Sequence, residues 1–198
     1  MEAGRIIRDP LTRRRLFGAG GETLAGGSAA FLAACGSNQD LKDEQEQLAD
    51  TPEADVAILN DALSLELTAV EAYAGVLPLL RGAVAAVGAE FLDQEREHAA
   101  AITRAVTDAG GRPTKEVLEF DLSDVRTQEE ALQFATNLEN VAIAAYVDSI
   151  PKLSSGDLRT TAAQIVANEA EHLTVLQAAL GNPPVASAFV SGNPEALG

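Results

Sequence analysis

His98 and His172 are the only histidines in this 198-residue chain, and each stands three residues after a glutamate, Glu95 and Glu169. Carboxylate and imidazole are ligands that hold divalent metals, and on a helix residues at i and i+3 share a face. Glutamate fills 18 of 198 positions, so one at this offset before both histidines is a coincidence of roughly one in 120. Two such faces brought together would hold metal.

The scaffold around these pairs repeats. Glu66 precedes Tyr73 by seven residues, Glu139 precedes Tyr146 by seven, and these are the only tyrosines. The two copies are offset by 73 residues, an offset kept by Leu59/Leu132, Leu65/Leu138, Val70/Ile143 and Pro78/Pro151, while the Glu-x-x-His pairs are offset by 74. This is the pattern of a duplicated helical hairpin in which the chemistry repeats with the fold.

Four helices follow from the punctuation and the apolar period. Thr51, Pro52 and Glu53 supply a cap, an N1 proline and an early acid. Val56, Leu59, Leu63, Glu66, Val70, Tyr73 and Leu77 then advance in alternating steps of three and four, a bundle seam with Glu66 at its middle. A short turn from Pro78 to Gly82 predicts an antiparallel second helix running to Gly110 and Gly111, with Phe91, Glu95, His98 and Ile102 inward. Thr127 and Glu130 form a capping box for a third helix whose seam is Leu132, Glu139, Ile143, Tyr146 and Ile150. A turn through Ser154, Ser155 and Gly156 leads to a fourth helix carrying Leu158, Ile165, Glu169, His172 and Leu176 and ending at Gly181. Residues 112–126 lack helical period; extended at ~3.3 Å per residue they reach roughly 50 Å, enough to cross the bundle end to end.

The spacing also sets the height of each carboxylate. Glu66 lies 12 residues before Pro78 and Glu95 lies 13 after Gly82, while Glu139 lies 12 before Pro151 and Glu169 lies 14 after Ser155. At ~1.5 Å per residue all four stand about 18 to 21 Å from their turns, at one level. Four carboxylates on core seams would cost several kcal/mol each if unpaired, and two divalent ions neutralise them. Glu71, Glu97 and Glu171 point off the seams to solvent.

Composition bounds the rest. The formal charge of -16 argues against nucleic acid and against an anionic membrane surface as partner. Aromatics are 4% and tryptophan is absent, which favours helix over strand. Cys35 is the only cysteine, so intrachain disulfides, iron–sulfur clusters and c-type haem attachment are excluded. Five arginines precede it, whereas the chain from Cys35 onward carries 9 basic against 27 acidic residues.

Arg13 and Arg14, followed by Leu16, Phe17 and a weakly apolar stretch to Ala34, resemble a twin-arginine export signal, and the small residues before Cys35 and Gly36 resemble a lipobox. The resemblance implies recognition by the twin-arginine machinery, a signal peptide over 1–34, lipidation of Cys35, and a protein anchored at the outer face of the bacterial cytoplasmic membrane. Residues 35–50 are polar and charged and read as a tether, 51–181 as the four-helix bundle, and 182–198 as a Pro/Gly-rich tail that is not a fifth helix.

One glutamate from each of two helices and one Glu-x-x-His from each of the other two is the ligand composition of di-iron and di-manganese carboxylate bundles. From about residue 56 to 190 the chain resembles the ferritin-like superfamily: an all-α antiparallel four-helix bundle of two duplicated hairpins joined by one long crossover. Glu139, Tyr146, Glu169, His172, Pro184 and Phe189 are similar to exported bacterial ferritin-like domain proteins related to desiccation-related proteins. The resemblance implies that Glu66 and Glu139 are terminal ligands, that Glu95 and Glu169 bridge, and that His98 and His172 each bind one metal. Tyr73 and Tyr146 would hydrogen-bond the ligand carboxylates.

Such a site takes two divalent ions, iron first, with manganese or zinc as alternatives. The expected function is a membrane-tethered di-iron protein that oxidises Fe(II) or reduces oxygen or peroxide. The alternatives are a non-enzymatic stress or cell-envelope protein, with structural metals or a relic site, and a manganese catalase-like activity. No catalytic residue apart from the ligands stands out. A homodimer is compatible with the resemblance, although no apolar stripe lies outside the seams.

Overall fold

The computed structural model describes residues 52–197. The export and lipidation readings on Arg13, Arg14 and Cys35, the segments 1–34 and 35–50, and the Thr51 cap lie outside the described residues. Within them the chain forms four long helices and no strand: α1 (Pro52–Val76), α2 (Gly82–Asp108), α3 (Gln128–Ser149) and α4 (Gly156–Ala179). Single 3-10 turns at Leu77–Leu79 and Ile150–Lys152 follow α1 and α3. Each carries the proline, Pro78 or Pro151, that cannot continue a helix.

The helix ends show why the elements stop and start where they do. Thr127 accepts from the Glu130 amide while the Glu130 carboxylate accepts from the Thr127 amide, closing the capping box at α3. At α4 the Ser155 hydroxyl accepts from the Leu158 amide. Gly110 and Gly181 end α2 and α4 at φ of 81° and 78°, and in both cases the next amide bonds back five residues, Gly111 to Val106 and Asn182 to Gln177. This left-handed cap is open to glycine without strain, and its recurrence is another mark of the duplication.

Helix α1 packs mainly on α2 and α3 mainly on α4, and the two hairpins meet through α1 against α3 and α2 against α4. Two polar clasps set their direction. Buried Asp55, near the start of α1, accepts from the Ser154 amide (2.8 Å) just after α3, while the Arg81 amide donates to Gln128 Oε1 (2.9 Å) at the start of α3. Helices α1 and α3 are therefore antiparallel.

The crossover runs up the outside of α1, a path within its reach. Arg112 and Thr114 bond to Asn60, the Leu118 amide donates to Thr68 Oγ1 (2.9 Å), and Leu122 sits over Gly75, where an added Cβ would lie 2.6 Å from its Cδ1. This cover explains why Ser64 and Thr68, off the seam, are buried. By length and composition α1 could span a membrane. Here it is a bundle helix with Glu66 and Tyr73 in its buried face.

Candidate metal centre

Every ligand candidate reaches one chamber in the bundle core. Glu66, Glu95, Glu139, Glu169 and His172 are each at most 2% exposed. The two imidazole rings lie 6.3 Å apart between centroids, and both turn Nδ1 toward the carboxylates. His98 Nδ1 lies 3.6 Å from Glu66 Oε2, 3.6 Å from Glu95 Oε2 and 2.9 Å from Glu169 Oε1. His172 Nδ1 lies 3.2 Å from Glu95 Oε1, 3.3 Å from Glu139 Oε1 and 3.1 Å from Glu169 Oε2.

These distances sort the carboxylates. Glu95 and Glu169 each turn one oxygen to His98 and the other to His172, so they span the two halves. Glu66 belongs to the His98 half and Glu139 to the His172 half. Two overlapping four-residue groups could each hold an ion: Glu66, Glu95, His98 and Glu169 in one, and Glu95, Glu139, Glu169 and His172 in the other.

The close approaches are not hydrogen bonds. Glu95 Oε1, both Glu169 oxygens, His98 Nδ1 and His172 Nδ1 are buried without a hydrogen-bonding partner. Among the described residues only one other side-chain atom, Thr136 Oγ1, shares that condition. Unpartnered polar atoms in a core each cost about 1 to 3 kcal/mol, so their collection at one point calls for a missing counterpart. Lone pairs that converge on shared positions rather than on each other are the arrangement of ligands around cations. The donor set of oxygen and imidazole nitrogen suits iron, manganese or zinc.

Without cations, protons must balance the charge. Burial drives the Glu66 carboxyl up to about 8 against the opposing pull of His98. Burial and then the Glu169 charge hold Glu139 well above the usual carboxylate range. The imidazoles go the other way from what burial alone would do: Glu169, Glu66 and Glu95 push His98 up to about 12, and Glu139, Glu169 and Glu95 push His172 up to about 11. Glu169 falls to about 2, because its contacts with His172 and His98 outweigh its desolvation. Metal-free, the chamber is a carboxylate and imidazolium cluster that would exchange protons for metal.

The tyrosines bond across the bundle. The Tyr73 hydroxyl donates to Glu139 Oε1 and the Tyr146 hydroxyl to Glu66 Oε1, so each serves the glutamate of the other hairpin. Side chains on a helix lean toward its N-terminus, which for both tyrosines is back toward the chamber, and the antiparallel neighbour is what they meet there. Burial and the adjacent carboxylate raise both phenols well above their ordinary value, so they remain donors.

Two further residues act on His172. Gln94 Oε1 lies 2.7 Å from His172 Nε2, accepting from it and leaving Nδ1 free to face the carboxylates, and Phe91 stacks on the ring at 4.0 Å. Neither stood out as a site residue, Phe91 reading as plain core. A signal existed in the duplication, since an amide, Gln94 or Asn168, precedes the glutamate of both Glu-x-x-His pairs. Glu71, Glu97 and Glu171 are exposed, as their angular positions predict.

A family model described as "Ferritin-like domain" matches residues 54–182. No curated protein sequence matches the chain. Among solved structures, a conserved hypothetical protein of Mycobacterium tuberculosis is 25% identical with a TM-score of 0.61, the match covering 69% of this chain and 97% of that one. A ferritin-like, diiron-carboxylate protein from Bacillus anthracis is 22% identical (TM-score 0.59; 67% and 98% covered). The bacterioferritin of Desulfovibrio desulfuricans, described with a diiron site, is 18% identical (TM-score 0.58; 80% and 99% covered). Bundle, duplicated hairpins and buried glutamate–histidine cluster agree with the family match: the chain belongs to the ferritin-like domain family.

Proposed function

We propose that this protein binds two divalent metal ions, iron in its working form, in the chamber between its hairpins, and that the loaded centre oxidises Fe(II) with oxygen or peroxide as oxidant. The observation that carries this reading is the convergence of five buried, unpartnered glutamate and histidine atoms from two helices, α2 and α4, on two adjacent positions. Glu66 and His98 would hold one ion, Glu139 and His172 the other, with Glu95 and Glu169 shared. When bound, the pair of ions supplies one-electron steps at two adjacent centres.

The chain's own residues do the rest. Gln94 fixes the His172 tautomer, Tyr73 and Tyr146 orient the terminal carboxylates and share their charge, and leucine, isoleucine and alanine side chains pack the core on either side of the ligands. Export by the twin-arginine route and anchoring through Cys35 complete the proposal, which would put the activity at the cell envelope; the support is the resemblance of Arg13, Arg14 and the residues around Cys35 to such a signal. Burial of all four carboxylates favours a second reading, in which the ions only neutralise and stabilise the bundle.

Metal analysis of protein exported by its native host separates the two. Two iron ions per chain, with oxygen uptake on adding Fe(II), are expected; tightly held zinc inert to Fe(II) and peroxide would leave the stabilising role alone.

A further inference from the structure

Between α2 and α4, on the His172 side of the bundle, lies a cavity of about 130 Å³. Val84, Val87 and Gly88 of α2, Leu176 of α4, and Ala131 and Ala135 of α3 form its walls, and Tyr73 and Phe91 close its inner end. Tyr73 is the one polar side chain in the lining, and its hydroxyl is committed to Glu139. The outer end opens between Ala83, Val175 and Ala179, all exposed. A water entering here would find no polar partner, and water needs two to four; a dry cavity of about 150 Å³ accommodates benzene or xenon.

The duplication supplies an internal control. At the equivalent places in the other half, by the same offsets of 73 and 74, Gly88 is matched by Ala162, Val84 by Leu158 and Ala131 by Ile58. Polarity changes too, with Asp157 standing for Ala83 at the rim and Thr161 for Val87 in the wall. The second half thus carries larger side chains at three wall positions and polar ones at two others, where a wide polar cleft lined by Asp55, Arg104, Asp108 and Asp157 opens instead. One half of a duplicated fold keeps its space apolar, and its inner wall is the pair of rings that touch His172 and Glu139.

We infer that this cavity is a binding site for a small, uncharged apolar molecule no larger than a benzene ring, held against Phe91 and Tyr73. That this molecule is a reactant of the metal centre rests on the function proposed above; that it binds does not.

The test uses full-length protein, metal-free and iron-loaded, titrated with benzene and with xenon. Benzene is expected to raise the melting temperature saturably in both forms, since a ligand of the native state stabilises it by mass action. Methyl NMR signals of Val84, Val87 and Leu176 should shift with both probes. Ala131→Ile, which installs the side chain of the other half, should remove both effects. Ala83→Asp, on the exposed rim, should weaken benzene binding and keeps the test decisive if the Ala131 variant misfolds. Absence of saturable binding, or binding indifferent to Ala83→Asp and to folded Ala131→Ile, would overturn the proposal. Benzene binding in a protein that takes up no iron would sink the metal reading and leave the cavity site standing.

Discussion

His98 and His172 occupy equivalent positions in the two hairpins and meet opposite surroundings. His172 is 1% exposed, stacked by Phe91 and held at Nε2 by Gln94. The side chain of His98 is 12% exposed and borders a surface cleft of about 390 Å³ shared with Glu97, Arg104 and Gln164. The residues matching Phe91 and Gln94 are Ile165 and Asn168. Asn168, one methylene shorter, bonds Glu171 instead of reaching across the bundle. A duplicated scaffold thus keeps its ligands symmetric while the layer behind them makes one half closed and the other open.

The largest effect expected is on the residues the two halves share. Glu169→Ala should empty both metal positions and lower the melting temperature of protein prepared with metal; unchanged metal content on elemental analysis would break the site assignment. The histidines should then separate the halves. His172→Ala removes a packed, fully buried ring and should cost roughly 2 to 4 kcal/mol in denaturant unfolding of metal-free protein, whereas His98→Ala, at the cleft, should cost clearly less. Equal costs would mean that the open and closed surroundings make no energetic difference.

Proton exchange sharpens the same comparison. In metal-free protein Glu66 is raised from its ordinary 4.5 to about 8, His98 from 6.5 to about 12 and His172 from 6.5 to about 11. Groups raised in the folded state stabilise fully below their ordinary value and lose that contribution as pH climbs through the folded one. Glu169, lowered from 4.5 to about 2, contributes above its ordinary value and loses that as pH falls toward the folded one. Metal-free protein should therefore be most stable on the mildly acidic side, weaken as pH rises through 8, and be rescued there by metal. Metal uptake should release protons, and affinity should rise with pH. Calorimetry in buffers of different ionisation enthalpy counts those protons, and a pH-independent affinity would contradict the exchange.

Smaller still are the supporting groups. Gln94→Leu should weaken metal binding roughly 10-fold or more, the usual cost of losing a hydrogen bond behind a ligating imidazole, while Asn168→Leu should leave affinity nearly unchanged. In metal-loaded protein, where Glu66 and Glu139 are ionised, Tyr73→Phe and Tyr146→Phe should each cost about 1.5 to 3 kcal/mol or less in denaturant unfolding, the range for a hydrogen bond to a charged group. Closely matched losses would show that the tyrosines follow the symmetry of the ligands rather than the asymmetry of the histidines.

Much of the bundle was legible because its signals are local or periodic. The alternating three and four steps through Glu66, the capping box at Thr127 and the paired prolines depend only on neighbours along the chain. The reach of residues 112–126 allowed the full-length crossing that the chain makes. Its side was not legible, and so neither was the burial of Ser64 and Thr68 beneath it. The tyrosines were readable as partners of carboxylates, but not as partners of the opposite hairpin's carboxylate, because that depends on the antiparallel register of α1 and α3.

By itself the sequence determined the helices, the duplication and the six glutamate and histidine residues that meet in the core, because a repeat of residue types on a helical period survives any packing of those helices. Only the tertiary structure decided that Glu95 and Glu169 lie between the two imidazoles, that Gln94 and Phe91 secure His172, and that His98 faces a cleft. Those outcomes depend on contacts between residues tens of positions apart, where the length of one side chain, glutamine against asparagine, settles which partner is reached.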